Sequence, residues 1–373
     1  MLFATPKLSR DLERRLEVLD QLRASLGARV GTPTPWIGKL GRQVRAESAE
    51  SSIAIEGFEV PEAEIVDLVA GRTAPDPEDA NRMALTSYAR AMEHVAVMAG
   101  DPGFRWYDRV LLDLHFDACS FQRDKRPGRW RDHPIGVTSL TGNGMAYVAP
   151  DEKAVPKLMG EVVAWLQKGD LDVHQVVRAA MAHLHVVSVH PFSDGNGRLS
   201  RVVQSLVLAR DGMLAPEFGS IEEHLSQNTP TYYSVLEEVQ GGSYQPDRDA
   251  TPWIDFCVAA HFGQVNRRME QLETAARRWQ FLEELAGARG WPDRLVIALE
   301  QSLFGGAERA AYAAQADISL PTASGDLRRL VDAGLVTQQG RTRSTRYMAT
   351  DLLHQQLRRA LAGYAGVAEA GHA

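Results

Sequence analysis

Apolar residues recur at three- and four-residue steps along most of the chain, the spacing that gathers them on one face of a helix. Leu8, Leu12, Leu16, Leu19, Leu22 and Leu26 predict a helix over 7–28, and similar patterns predict helices over 80–99 and 107–119. Residues 176–189 are apolar nearly all round, which predicts a buried helix. After a polar loop, 198–209 returns to the amphipathic spacing. Prolines and glycines at Pro33–Pro35, Pro75–Pro77, Gly241–Gly242 and Gly290–Pro292 mark the breaks. One stretch is different in kind. Residues 127–156 carry Gly136, Val137, Thr138, Gly142-Asn143-Gly144 and Tyr147-Val148, and Asn-Gly between apolar residues signals a β-hairpin.

The loop between the two central helices holds the chemistry. It reads His190-Pro-Phe192-Ser-Asp194-Gly195-Asn196-Gly197-Arg198-Leu-Ser-Arg201. An imidazole titrates near neutral pH, at about 6.5. Asp194 is a hard oxygen ligand suited to Mg²⁺ on phosphate oxygens. Gly195 and Gly197 allow a tight turn and close approach to a ligand. They sit at a predicted helix N-terminus, where unpaired N–H groups favour anions. Arg198 and Arg201, three apart on one helix face, suit the clamping of phosphates. The same residues also fit a surface turn between two helices, since Asp, Asn and Gly are ordinary turn formers.

At every specified position the run matches H-x-F-x-(D/E)-G-N-G-R-x-x-R, and the chain thereby resembles the Fic family. The resemblance implies a mainly α Fic-type core with a hairpin flap. It implies transfer of AMP from Mg·ATP to a Ser, Thr or Tyr hydroxyl of a protein. His190 would deprotonate the hydroxyl, Asp194 would hold Mg²⁺, and Phe192 would anchor the loop. Gly195, Asn196 and Gly197 would cradle the α- and β-phosphates, and Arg198 and Arg201 the rest of the polyphosphate.

Three further segments gain meaning beside it. Ser52-Ile-Ala-Ile-Glu56-Gly57 alone is a short amphipathic helix ended by a glycine cap. It also matches the (S/T)-x-x-x-E-G pattern of the family's inhibitory helix. Glu56 would then hold Arg201 in place of the ATP γ-phosphate. Residues from Pro127 to about Pro156 resemble the flap that pins a target by strand addition, although an ordinary hairpin fits as well. Asn228, Tyr232 and Tyr233 resemble the adenine- and ribose-side segment, while aromatics at such spacing also serve as core. A zinc reading of His183, His185 and His190 fails, because His183 and His185 point to opposite sides of a helix. A P-loop is absent.

The C-terminal part orders its elements as helix (Glu308–Asp317), turn, helix (Pro321–Val336) and polar hairpin (337–348), the order of a winged helix. Arg328, Arg329, Arg341, Arg343 and Arg346 suit DNA phosphates, diluted by Asp317, Asp326 and Asp332; packing or homodimer contacts are the plainer use. The expected organisation is 1–105 with the inhibitory motif, 106–270 as the catalytic core with its flap, and 290–362 as the winged-helix domain.

Composition adds limits. A net charge of −7 argues against a nucleic-acid footprint over the whole surface. No apolar run approaches the ~20 residues that span a bilayer. The amino-terminal residues lack a signal-peptide core, and two cysteines imply no disulfide framework, so the expected compartment is the cytoplasm. The partners expected are ATP, a target protein (self-modification included), DNA through the winged helix, and a second copy of the chain; no membrane is expected. Two other readings stand beside AMP transfer. One is AMP removal with Glu56 aligning water, the other a DNA-binding regulator whose Fic domain senses nucleotide.

Overall fold

The computed structural model describes residues 1–138, 144–340 and 345–370, the side chains of 363–370 excepted. It forms two compact units, Met1–Met269 and Glu270–Ala373.

The first unit runs α1 (Arg10–Gly31), α2 (Ile37–Ala54), α3 (Glu62–Val69), α4 (Ala80–Gly100) and α5 (Asp108–Cys119). A hairpin of β1 (Gly136–Thr138) and β2 (Met145–Val148) follows. Then come α6 (Val155–Lys168), α7 (Gln175–Val189), α8 (Asn196–Ala209), α9 (Pro216–Gly219), α10 (Glu222–Gln227) and α11 (Thr229–Gln240). Helix α12 (Thr251–Gly287) begins in this unit. The buried helix read from the sequence is α7, where every residue from Val176 to Val189 is buried. Helices α6 and α8 pack on it, α4 and α5 pack on α8, and α2 packs on α4 and α10. Trp253 is fully buried, and its Nε1 donates to the carbonyl of Ala180 in α7 at 2.7 Å.

Helix α2 departs from expectation. Of residues 52–57, read as a short helix, 52–54 end an 18-residue one and 55–57 form the turn that closes it. Its buried face is built of Ala46, Ser48, Ala49, Ser51 and Ser52 beside Leu40, Val44 and Ile53. Small residues there let backbones approach closely, but they leave no strong apolar period in the sequence. The helix closes in a Schellman motif: Phe58 N–H donates to Ile53 O at 3.2 Å and Gly57 N–H to Ala54 O at 3.0 Å. Gly57 takes the left-handed conformation this needs, with φ of 84°.

The hairpin pairs Gly136 with Val148, Val137 with Tyr147 and Thr138 with Met145 in antiparallel register. Its expected tip residues Gly142 and Asn143 lie outside the described residues. On the far side, Val148 N–H donates to Gly242 O at 2.9 Å, which leaves β1 as the outer strand.

The second unit holds α13 (Arg294–Leu303), α14 (Arg309–Gln315), α15 (Leu320–Asp332), the antiparallel pair β3 (Val336–Gln339) and β4 (Arg346–Ala349), and α16 (Asp351–Ala370). Asp326, counted in the sequence as diluting a basic surface, is buried. It accepts two hydrogen bonds from Arg294, at 2.7 and 3.1 Å, and one from the Tyr312 hydroxyl at 2.9 Å. Arg328 and Arg329 are exposed, whereas Arg341 and Arg343 lie outside the described residues. Among the described residues, no helix is long and apolar enough to cross a membrane.

Candidate active site

The loop from His190 to Gly197 joins α7 to α8 and forms one wall of a cavity of about 530 Å³. Two left-handed residues shape it: His190, with φ of 50°, caps α7, and Gly195, with φ of 77°, caps α8. A β-carbon on Gly195 would lie 2.3 Å from the Cys119 sulfur, so both its conformation and its surroundings require glycine. The side chain of Asn196 closes the loop on itself. Its Oδ1 accepts from Phe192 N–H and its Nδ2 donates to Phe192 O, both at 2.9 Å. Asn196 can therefore offer a ligand its backbone N–H but not its amide.

Phe192 is fully buried and anchors the loop away from the cavity. It stacks on His115 at 3.5 Å and meets Trp130 at 4.8 Å. His115 supports the same loop from α5. Its Nε2 donates to Asp194 O at 2.8 Å and its Nδ1 accepts from Gly128 N–H at 3.0 Å. That tautomer is neutral, and burial pushes the ring down to about 4.

His190 lines the cavity and is half-buried. Its Nδ1 donates to Val187 O at 3.2 Å, which puts the proton on Nδ1 and leaves Nε2 with its lone pair. Burial first, and the charge of Arg131 next among the lowering influences, hold the imidazole at about 4, so it is neutral at pH 7. A neutral Nε2 can take a proton. Arg131 fixes the backbone behind it. Its Nε donates to His190 O at 2.8 Å, its backbone N–H to Pro191 O at 2.9 Å, and its guanidinium to His133 O at 2.9 Å and Pro150 O at 2.5 Å. His133 and Pro150 flank the hairpin, so one arginine ties the hairpin base to the His190–Gly197 loop. The cavity wall also includes Ile135 and Gly136, Val137 and Thr138 of the outer strand.

Asp194 is about one-third exposed, at 36%. Its Oδ1 accepts from Gly195 N–H at 2.6 Å and its Oδ2 from Gln122 Nε2 at 2.7 Å. A single carboxylate on a cavity wall fits Mg²⁺, which takes one or two protein carboxylates and completes its shell with phosphate oxygens and water. No cluster of three or more His, Cys, Asp or Glu that could cage a metal occurs among the described residues. His183 and His185 have separate surroundings: His183 lies between Gln204 and the Tyr232 hydroxyl, and His185 against Trp165.

The motif arginines lie behind the wall rather than on it. Arg198 is buried between the rings of Phe58 and Phe121, at 5.7 and 5.4 Å, with its NH2 donating to Gln122 Oε1 at 2.7 Å. Arg201 is buried under the end of α2. Its Nε donates to Ser52 Oγ at 2.8 Å, and its NH2 to Ser52 O at 3.0 Å and Glu56 Oε1 at 2.8 Å. Ser52 and Glu56, one helical turn apart, thus grip the same guanidinium. Glu56 itself lines the cavity, between Arg201 and the space beyond. A β-carbon on Gly197 would lie 2.7 Å from its Oε1.

Of the aromatic-side residues, Tyr232 and Tyr233 line the cavity. Asn228 is not part of its wall, since its Nδ2 donates back to His224 O at 2.8 Å across a helix junction. Sequence reasoning missed His115, Gln122 and Phe58, and saw Arg131 only as the start of the hairpin segment. No local signal marks them, because each acts on a loop far away in the chain.

The cavity thus gathers a base with an open nitrogen, a carboxylate and a glycine-rich helix start on a helical scaffold. Residues 107–208 match the model of the Fic/DOC family. The protein adenylyltransferase Fic of Aedes aegypti is 25% identical over 247 residues, covering 63% of this chain and 44% of that protein. Its counterpart in Drosophila melanogaster is 24% identical over 249 residues, 63% of this chain and 45% of that protein. The chain thus spans about half the length of these relatives. A Fic family protein of Desulfovibrio desulfuricans has the same fold, with a TM-score of 0.56 at 20% identity over 93% of this chain and 98% of its own. A Fic protein of C. elegans gives 0.57 at 19% identity, over 70% of this chain and 73% of its own.

Proposed function

We propose that the chain transfers AMP from ATP to a Ser, Thr or Tyr hydroxyl of a protein, and that Glu56 restrains the reaction. The observation that carries this is the pairing, in one cavity, of an unprotonated His190 Nε2 with a loop whose second arginine is held by Glu56. The hydroxyl oxygen forms a bond to the α-phosphorus while its proton passes to His190 Nε2. The bond from the α-phosphorus to the bridging oxygen breaks, and pyrophosphate leaves. Backbone N–H groups at the start of α8 hold phosphate oxygens, and Tyr232 and Tyr233 face the nucleoside. Asp194 would hold Mg²⁺, which when bound would supply charge neutralisation at the phosphates. Target backbone adds to the outer edge of β1, which orients the hydroxyl. Positioning and charge neutralisation supply most of the acceleration.

With Glu56 on Arg201, the γ-phosphate loses its cation, and ATP lies in a pose unsuited to transfer. Incubation with α-³²P-ATP tests the proposal: the wild-type chain or its Glu56→Gly variant labels protein, and His190→Ala abolishes the label. Label that survives His190→Ala overturns it. Mass spectrometry after incubation with mixed nucleotides identifies the group added and the residue that accepts it.

A second reading draws on the place of Glu56. Its carboxylate stands on the same cavity wall as His190, where it suits the alignment of a water for removal of AMP from a modified protein. Release of free AMP from AMP-modified target, lost in Glu56→Gly, supports that direction. The second unit is read as a winged helix that offers Arg328 and Arg329 to DNA phosphates, as a nucleotide-sensing regulator would. Full-length protein titrated with duplex DNA at rising salt tests it, and a flat salt response removes it.

A further inference from the structure

Gln122 lies between the two charged side chains of the loop. Its Nε2 donates to Asp194 Oδ2 and its Oε1 accepts from Arg198 NH2, each at 2.7 Å. An amide is suited to this because it carries two donors at one end and an acceptor at the other. Its orientation is fixed by charge, since the cation attracts the carbonyl oxygen and the carboxylate attracts the NH₂ group. The backbone holds the residue in place: Gln122 N–H donates to Cys119 O at the end of α5, and Lys125 N–H donates to Gln122 O, both at 3.0 Å.

Arg198 has few other polar partners. Its NH1 reaches Ala118 O at 3.5 Å, its NH2 lies 3.5 Å from Asp194 Oδ1, and its buried Nε has no hydrogen-bond partner among the described residues. Asp194 and Arg198, four residues apart, already form a loose ion pair at 3.5 Å, longer than a direct charge-assisted hydrogen bond. Closing that 3.5 Å gap would neutralise both and leave neither for a ligand.

We propose that Gln122 is a positioning residue: bridging the two, it keeps the Asp194–Arg198 ion pair from closing into a direct hydrogen bond and leaves the Asp194 carboxylate on the cavity wall, free for a polyphosphate and its cation. The proposal rests on the reading of this loop as a polyphosphate cradle. It gives the amide two separable duties, one toward each neighbour. Gln122→Met, similar in size but without polar ends, loses both and lets Arg198 fall onto Asp194. Gln122→Glu still accepts from Arg198 but sets a second carboxylate against Asp194 Oδ2. Two carboxylates in contact repel one another unless a cation sits between them.

The test is equilibrium binding by the full-length chain of ATP without metal, of Mn²⁺ alone, and of the two together. The wild type is compared with Gln122→Met, Gln122→Glu and Gln122→Asn, and melting temperature is recorded for each. In Gln122→Met, affinity for both ligands falls about tenfold, the lower end of what supporting residues around a metal contribute. In Gln122→Glu the two move oppositely: Mn²⁺ binds about tenfold tighter and metal-free ATP binds more weakly. Gln122→Asn, with both amide functions on a shorter stem, recovers part of the wild-type affinity. A residue that only supported the fold would shift both ligands the same way and in step with melting temperature. Unchanged affinities in Gln122→Met and Gln122→Glu, with ATP bound by the wild type, overturn this proposal alone. No ATP binding by the wild type overturns the cradle reading and this proposal with it.

Discussion

Glu56 and Arg201 meet at 2.8 Å, and the carboxylate covers a guanidinium that is otherwise sealed inside the protein. Ser52 supplies the other two acceptors from one turn earlier, so Arg201 keeps polar partners when the carboxylate is removed. The Glu56→Gly variant is therefore expected to fold, with a loss of about 1–3 kcal/mol for the missing charge-assisted bond. Mg·ATP should raise the melting temperature of this variant more than that of the wild type, because phosphate replaces the lost partner. Labelling by α-³²P-ATP should rise at least about tenfold, which corresponds to ~1.4 kcal/mol of restraint. Equal labelling in the two proteins would remove Glu56 as the restraint.

The reaction should be level in rate between about pH 6 and 8 and should fall as pH drops toward 4. His190 is held at about 4 by burial, so acid protonates Nε2 only well below neutrality. Stability follows the same sign. His115 and His190 are lowered to about 4, and His183, His185 and His261 to about 3, from an ordinary 6.5. Between those values the unfolded chain binds more protons than the folded one. Their contribution is complete above pH 6.5 and is lost progressively as pH falls to about 3. Urea midpoints measured from pH 7.5 to 4.5 should decline steadily below about 6.5, the ordinary imidazole range. A flat series would contradict the buried, neutral state of these rings.

Arg131→Ala should separate binding from transfer. Its guanidinium serves carbonyls at His190, His133 and Pro150, and none of them belongs to the phosphate cradle. ATP affinity is expected to change less than threefold, while labelling falls at least about tenfold because His190 and the flap lose their common tie. Arg131→Lys, a point charge without the guanidinium fork, should recover little of the rate. Equal losses in binding and labelling would reduce Arg131 to a general support.

Helix periodicity made α1, α4, α5 and α8 legible through apolar residues at helical steps, and α7 through an apolar run nearly all round. The extent of α2 was not, because its buried face is largely serine and alanine. The loop residues were legible as chemical types, and their match to the family pattern supplied expected roles. What escaped was the supporting layer. Gln122, His115 and Phe58 reach the loop by tertiary contact, and nothing in their own neighbourhoods sets them apart. The amide of Asn196 looked available to phosphate, yet its position four residues after Phe192 lets it bond that backbone twice instead. Asn228 looked similar to Tyr232 and Tyr233 in sequence, but a helix junction captures its side chain.

In the second unit, Asp326→Ala should destabilise by about 2–4 kcal/mol, because Arg294 and the Tyr312 hydroxyl lose a buried acceptor together. Differential scanning calorimetry of the full chain checks this as a transition that moves down in temperature. Labelling activity should persist at temperatures below that transition. Loss of labelling at low temperature would mean that the carboxylate serves more than its own unit.

The paired hydrogen bonds between the Asn196 amide and the Phe192 backbone make the loop a clasp already fastened when the protein folds. On the proposed reading, nucleotide entering the cavity would have no chain to gather and no entropy of loop ordering to overcome. The same economy fixes how the site fails. A substitution at Asn196 cannot trade affinity for flexibility, because the clasp that shapes the cradle also finishes the core through Phe192. Resilience and recognition at this loop must rise and fall together, so variants that survive there should be rare and should survive whole.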